Sequence, residues 1–148
     1  MIDLKSIHEM WAKDCEIDTN KLDESSREQP ILHAKYIELL STYKLQLKRA
    51  EFQQKNLLKD KWLYYNGKMA YEDIVSKGWN PDPFNGLKIL KGEMEYYYES
   101  DPEIQKSEEK IQYFKTVIDT LTDIINNLNW RHQTISNIIK WKQFESGY

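Results

Sequence analysis

A heptad pattern of apolar residues in the C-terminal third of the chain constrains the fold more than any other feature. One heptad position holds Ile104, Ile111, Ile118, Ile125, His132 and Ile139, and a second holds Ser107, Phe114, Leu121, Leu128, Ile135 and Lys142. This spacing predicts a long α-helix with a coiled-coil-like seam. Asp101-Pro102-Glu103 is a typical helix start, with a capping residue, a proline at the first position and then an acid. The pattern extends to about Phe144.

The apolar stripe on this helix is wider than a two-stranded coiled coil requires. A neighbouring position adds Val117, Ile124 and Ile138, so the helix needs partners on two sides. An intrachain helical bundle provides them, and so does a ring in which each subunit packs between two neighbours. We expect the helix to drive homo-oligomerisation. The predicted oligomerisation residues are Ile111, Phe114, Ile118, Leu121, Ile125, Leu128, Ile135 and Ile139.

The whole chain reads as an all-α protein of long helices with a coiled-coil-like oligomerisation helix at its C-terminus. Its 148 residues suffice for one domain. Within that domain we expect an N-terminal helical region over residues 1–100. The C-terminal oligomerisation helix then occupies residues 101–148.

Two helices are predicted before residue 68. Residues 3–15 are predicted to form a short helix capped by Asp3. This helix either docks a partner or covers the core, and the sequence leaves both interpretations open. Residues 16–29 are polar, which predicts a loop in which helix begins again. Pro30 is expected to lie in the first turn of a long second helix. That helix should end near Tyr65, because Asn66-Gly67 is a typical left-handed stop.

Regular structure is interrupted after this second helix. The run Gly-Trp-Asn-Pro-Asp-Pro at residues 78–83 breaks helices and strands, so residues 69–85 are expected to form an exposed loop. Leu87, Leu90, Met94 and Tyr97 then share a helical face that extends to about Glu99. A hairpin turning at residues 91–92 is the alternative.

Charge is segregated along the chain. Residues 44–68 contain seven basic residues against Glu51 and Asp60, which makes this window +5 in a chain whose formal net charge is −3. A local positive patch on an acidic chain indicates a polyanionic partner. Trp62, Tyr64 and Tyr65 lie among these lysines, and unpaired bases stack on such rings. The N-terminal helical region over residues 1–100 is therefore expected to bind nucleic acid. The predicted nucleic-acid-binding residues are Lys48, Lys55, Lys59, Lys61, Tyr64, Tyr65 and Lys68.

The same residues also allow a structural interpretation. Lysines on a long helix commonly form a solvated face, and aromatic residues at helical spacing commonly pack in a core. Lys59 and Lys61 lie about 200° apart on a regular helix, so they share one face only if the helix unwinds or the strand wraps its end. The alternative function is therefore a helical structural or assembly oligomer without a nucleic-acid role.

The sequence contains no catalytic or cofactor-binding motif. His8, His33 and His132 lack ligand spacing, and neither a GxxxxGK[ST] nor a GxGxxG motif is present. We therefore expect a protein that is not an enzyme and uses neither metal nor cofactor. Cys15 is the only cysteine, which precludes an intrachain disulfide and fits a reducing cytosolic setting. No signal peptide or membrane-spanning run is evident.

Residues 58–68, Leu-Lys-Asp-Lys-Trp-Leu-Tyr-Tyr-Asn-Gly-Lys, resemble a segment of the UvsY-type recombination mediators of tailed phages. That segment reads Leu-Lys-x-Arg/Lys-x-x-Tyr-Tyr-x-Gly-Arg/Lys. Residues 14–22, 91–94 and 144–147 resemble further landmarks of the family in the same order. Lys59 and Lys61 match the basic pair with which the family binds DNA, whereas Asp60 between them departs from its pattern.

The resemblance implies a specific function. Members bind single-stranded DNA and contact both a RecA-like phage recombinase and the phage single-strand-binding protein. They help to load the recombinase onto covered strands, and they assemble as rings of six or seven subunits. The expected location is the cytoplasm of the infected bacterial host, without membrane attachment. A ring would repeat one modest basic patch several times, and such multivalency strengthens weak binding.

Overall fold

The computed structural model describes residues 1–147, which form five α-helices and no β-strand. The helices are α1 (Leu4–Asp14), α2 (Leu22–Tyr65), α3 (Tyr71–Ser76), α4 (Met94–Glu99) and α5 (Pro102–Glu145). The predicted all-α fold with a long C-terminal helix is confirmed. The chain divides into two compact units, and α2 and α5 each contribute to both.

The first unit comprises residues 1–45 and the part of the chain from residue 114 onward. Ile7, Tyr36, Leu121 and Leu128 are fully buried in its core. The side chain of Asp3 accepts a hydrogen bond of 2.8 Å from the backbone N–H of Ser6, which caps α1 as predicted.

Polar contacts also hold α1 against the core of the first unit. At the other end of this helix, Asp14 accepts hydrogen bonds from Lys35 at 2.7 Å and from the Tyr36 hydroxyl at 2.8 Å. Trp11 lies edge-on to Tyr36, with ring centroids 5.6 Å apart. Of the two uses considered for α1, the structure supports covering the core.

The start of α2 differs from the prediction. The helix begins at Leu22, so Pro30 lies in its ninth position instead of its first turn. Proline there removes one backbone hydrogen bond. Arg131, which is buried, binds the turn that precedes the proline: its guanidinium donates to the Ser25 carbonyl at 3.0 Å and to the Gln29 side chain at 3.2 Å. Tertiary contacts thus stabilise the helical turn on the N-terminal side of the proline.

The second unit comprises residues 46–113. Here α2 ends as predicted: Gly67 has φ 69°, and the Lys68 N–H bonds to the Leu63 carbonyl at 2.9 Å. At the start of α5, Asp101 accepts hydrogen bonds from the N–H groups of Glu103 and Ile104 at 2.9 and 3.2 Å. The predicted capping residue therefore does cap this helix.

Residues 69–99 depart from the sequence-based expectation. The supposed exposed loop contains α3, in which Ile74 is buried, and half-buried Trp79 and Phe84 pack on aromatic neighbours. The prediction that a helix includes Leu87 and Leu90 is wrong, because helix α4 begins only at Met94. Residues 85–86 lie in a turn with positive φ, and residues 87–90 are irregular. Residues 91–93 form a turn, but no strands flank it, so the hairpin is wrong too.

Burial at the first heptad position of α5 decreases along the helix, whereas burial at the second position does not. Ile104 and Ile111 are buried, Ile118 and Ile125 are half-buried, and Ile139 is 40% exposed. The second seam position stays inside, since its apolar members are all buried: Phe114, Leu121, Leu128 and Ile135.

We predict that Leu128→Ala lowers the free energy of unfolding by roughly 2–5 kcal/mol, because it leaves a cavity at a fully buried site. Leu45→Ala is a matched control, since Leu45 is 73% exposed and its truncation should cost at most about 0.5 kcal/mol. Urea unfolding followed by circular dichroism measures both. Equal losses in the two variants would contradict the described core.

Candidate nucleic-acid interface

Five side chains of the second unit form one exposed face of α2, which we call the α2 basic face. At 100° per residue they fall within an arc of about 80°. Its members are Lys48, Phe52, Lys55, Lys59 and Trp62, and all five are exposed. Both aromatic rings therefore lie among lysines on a regular helix that continues to Tyr65.

Each ring of the α2 basic face has ammonium groups beside it. The Nζ atoms of Lys48 and Lys55 lie 5.1 and 5.8 Å from the ring centroid of Phe52. The Nζ of Lys68, just beyond the helix end, lies 4.6 Å from the Trp62 ring. These are cation–π distances, so the lysines and rings form mixed groups that can meet both the phosphate and the base of a nucleotide.

The two acids of the basic window weaken this face little. Glu51 lies at its edge and forms a 3.9 Å ion pair with Lys48. Asp60 lies about 100° from Lys59 around the helix and pairs with Lys77 at 3.3 Å. The charge of Asp60 is thus offset by a lysine outside the window, and Lys55 and Lys59 have no such partner among the ion pairs of the described residues.

Lys61 lies on the opposite side of α2 and is 4% exposed. Its ammonium forms an ion pair of 2.9 Å with Asp101, approaches Glu103 at 3.7 Å, and lies 3.9 Å from the Trp79 ring centroid. Because α2 remains regular, Lys59 and Lys61 do not share a face within one chain. Direct contact of Lys61 with DNA stays a prediction, and the described structure gives it a buried carboxylate partner.

Asp101 is the centre of a buried polar cluster. One oxygen caps α5, while the other accepts from Lys61 and from the Tyr65 hydroxyl at 2.6 Å. Burial acts to raise the pKa of Asp101, but the hydrogen bonds from Tyr65 and Lys61 outweigh it and hold that pKa below its usual value. Burial, and then the hydrogen bond to Asp101, raise the pKa of Tyr65.

Tyr64 and Tyr65 belong to an aromatic cluster in the second unit. Tyr64 is buried, packs on Trp79 with centroids 5.0 Å apart, and donates its hydroxyl hydrogen to the Asn80 carbonyl. Tyr65 contacts Phe84, Tyr97 and Tyr98, with centroids 5.9, 6.4 and 5.2 Å away. Base stacking by these two tyrosines stays a prediction, and the contacts described here are structural.

Sequence reasoning missed Phe52 and Asp101 as site residues. Phe52 stands at i+4 from Lys48 and i−3 from Lys55, which is the helical spacing that lets all three side chains meet. That spacing was the available signal. Asp101 was recognised as a cap, but its pairing with Lys61, forty residues away, leaves no trace in a single sequence.

Five of the eight predicted oligomerisation residues are buried in the chain's own fold: Ile111, Phe114, Leu121, Leu128 and Ile135. Ile118, Ile125 and Ile139 retain exposed surface. Their role in assembly stays a prediction. In the described part of the chain no helix is long and apolar enough to cross a membrane, and no cluster of potential ligands could hold a metal ion.

A family model described as "Recombination, repair and ssDNA binding protein UvsY" matches residues 10–148. The chain belongs to the UvsY family. One curated relative, the recombination protein uvsY of Enterobacteria phage T4, is 26% identical over 144 residues, which cover 97% of this chain and 98% of that protein.

Solved structures agree with the fold. One crystal structure of the bacteriophage T4 recombination mediator protein UvsY matches with a TM-score of 0.81 and 23% identity, and it covers 99% of both chains. A second lattice of that protein matches with a TM-score of 0.79 and 24% identity, over 97% of this chain and 99% of that one. The helical architecture described above is therefore also the architecture of the T4 protein.

We predict that Asp101→Asn lowers the free energy of unfolding at pH 7 by about 3–5 kcal/mol, because it leaves the buried Lys61 ammonium without its closest counter-ion. The folded-state pKa of Asp101 lies below 3.8, so its contribution is present above that pH and is lost as the pH falls through the lowered value. The gap between wild type and variant should therefore narrow in acid. Urea unfolding from pH 7 to pH 3 measures it.

Asp119→Asn is the control for this experiment, since Asp119 is an exposed acid of the same helix. Its effect should stay within about 0.5 kcal/mol at every pH. A loss in Asp101→Asn that is no larger than this would mean that the Lys61–Asp101 pair does not stabilise the fold.

Proposed function

We propose that this chain is a recombination mediator that binds single-stranded DNA through the α2 basic face. In this role it helps to load a RecA-like recombinase onto strands covered by single-strand-binding protein. The observation that carries the proposal is the exposed alternation of lysines and aromatic rings on one face of α2, in a member of a family described by recombination, repair and single-stranded DNA binding.

The chemistry of this face suits a single strand. Lys48 and Lys59 lie 11 positions apart, or about 16 Å along the helix axis, with Lys55 between them. Lys68 continues the basic surface past the helix end. Ammonium groups spaced in this way can neutralise several successive phosphates of a flexible strand. No nucleotide-triphosphate motif is present in the sequence, so the protein acts as a binding factor and any ATP-dependent step belongs to its recombinase partner.

Homo-oligomerisation through the outer surface of α5 completes the proposal. Trp130, Trp141 and Phe144, which are 70, 61 and 71% exposed, lie within an arc of about 60° of α5. Ile139, which is 40% exposed, lies on the opposite side of the helix. The C-terminal half of α5 therefore presents apolar surface on two sides, each of which a neighbouring subunit can cover. A ring of six or seven subunits would repeat the α2 basic face and bind one strand at many points. We place this activity in the cytoplasm of the infected bacterial host.

We expect Lys55→Ala/Lys59→Ala to weaken single-stranded DNA binding and to reduce its salt dependence. Each neutralised phosphate contributes about 0.7 to the slope of log affinity against log salt, so the slope should fall by up to about 1.4 per engaged subunit. Fluorescence anisotropy with a labelled oligonucleotide, titrated across salt concentrations, provides the measurement.

Lys5→Ala/Lys13→Ala is the matched control, because it removes the same charge from exposed positions of α1. Its affinity and slope should equal those of the wild type. If Lys55→Ala/Lys59→Ala also behaves as wild type, the lysines are only a solvated face. The alternative of a helical structural or assembly oligomer would then be favoured.

Assembly has its own test. Ile139→Glu places a charge on exposed apolar surface, so it should leave the helical content unchanged. It should reduce the oligomer mass, because burying an unpaired charge in an interface is energetically unfavourable. Lys140→Glu, at the next exposed position, should keep the oligomer intact. Light scattering coupled to size exclusion decides this. An unchanged mass for Ile139→Glu would remove the side of α5 that carries Ile139 from the interface.

A further inference from the structure

We infer that Phe52 and Trp62 are base-stacking residues that make the α2 basic face selective for single strands. The inference rests on the proposed function and deepens it, because it assigns the choice of single strand over duplex to the two exposed rings of that face. Phe52 is 54% exposed and Trp62 is 46% exposed, and both lie on the same face of one regular helix.

Exposure of these rings has no structural explanation in the second unit. Neither Phe52 nor Trp62 takes part in any ring pair that the structure describes. The aromatic cluster of this unit is instead built from Tyr64, Tyr65, Trp79, Phe84, Tyr97 and Tyr98. Single exposed apolar residues are common on protein surfaces. Two large rings on one face, Phe52 beside two ammonium groups and Trp62 beside one at 4.6–5.8 Å, form a more specific arrangement.

The cation–π contacts prepare the face for a strand. A lysine beside a ring is held by the negative face of its π-system. When a phosphate approaches, the flexible lysine can turn to the stronger anionic partner and leave the ring face to a base. Phosphate and base of one nucleotide are then bound by neighbouring side chains, as in other single-strand sites.

The spacing of the rings fits separate bases on one strand. Ten residues of helix place Phe52 and Trp62 about 15 Å apart along the axis. Stacked bases in a duplex are 3.4 Å apart, so the rings would contact bases about four nucleotides apart, or fewer on a stretched strand. Lys55 and Lys59 lie between them and can neutralise the intervening phosphates.

Duplex DNA should not benefit from these rings. Its bases are paired and stacked inside the helix, and only phosphates and groove edges meet an outer protein surface. The lysines of the α2 basic face attract both forms, whereas the rings contribute only where a base can unstack. Phe52 and Trp62 are therefore the residues of this face that distinguish single strands from duplex.

The experiment compares wild type with Phe52→Leu/Trp62→Leu on three probes: an oligothymidylate, an abasic backbone of the same length, and a duplex. Leucine keeps an apolar side chain and all charges but removes the stacking plane. We expect the variant to bind oligothymidylate about 5- to 140-fold more weakly for each lost stack, with an unchanged salt slope. Its binding to the abasic backbone and to duplex should be unchanged.

Tyr96→Leu is the matched control, because Tyr96 is 72% exposed and lies away from α2 in sequence. It should bind all three probes as wild type does. Circular dichroism verifies that each variant is folded, which the exposure of both rings favours.

The outcomes separate this inference from the proposed function. Wild-type affinity of Phe52→Leu/Trp62→Leu for oligothymidylate, together with weakened binding by Lys55→Ala/Lys59→Ala, would overturn the stacking role and leave the proposed function intact. Wild-type binding by both variants would overturn both. Equal weakening of Phe52→Leu/Trp62→Leu on all three probes would also overturn the stacking role.

Discussion

The ion pair between Lys61 and Asp101 determines how the second unit is built. Asp101 uses one oxygen to cap the first turn of α5 and the other to accept from Lys61 and Tyr65 near the end of α2. The end of one long helix is thereby joined to the start of the other. Trp79 completes the arrangement, since its indole N–H donates to Glu103 at 2.6 Å while its ring lies against Lys61.

This buried pair also decides which side of α2 meets solvent. With Lys61 and Tyr64 turned inward, the helical period turns Lys48, Phe52, Lys55, Lys59 and Trp62 outward. A structural lysine and a set of surface lysines thus come from one basic stretch, with different roles. The surface set carries the proposed contact with single-stranded DNA, and the buried one keeps that surface in place.

Helix boundaries were predictable wherever the signal is local. Asp3, Asn66-Gly67 and Asp101-Pro102 mark a start, an end and a start in the structure, because capping depends on backbone groups a few residues away. The prediction from Pro30 was wrong, because α2 begins eight residues before it. The local preference of proline for a first turn is overridden by the contacts of Arg131, which is more than one hundred residues away in sequence. The heptad pattern correctly predicted α5.

The site was predictable only in part. Composition and charge located the basic stretch, yet a residue count cannot separate exposed lysines from Lys61, whose burial depends on Asp101. Residues 69–99 were the least predictable segment. Their fold depends on aromatic contacts such as those of Tyr65 with Phe84 and Tyr98, which no periodic pattern reveals.

The central claim is that the exposed lysines of α2 bind the strand while Lys61 is buried in the fold. Mass-spectrometric footprinting with an amine-reactive reagent, with and without oligothymidylate, tests it most directly. Lys48, Lys55, Lys59 and Lys68 should react in the free protein and be protected by the strand, Lys5 and Lys13 should react equally in both, and Lys61 should react in neither. Strong labelling of Lys61 in the free protein, or no protection at Lys55 and Lys59, would contradict the account.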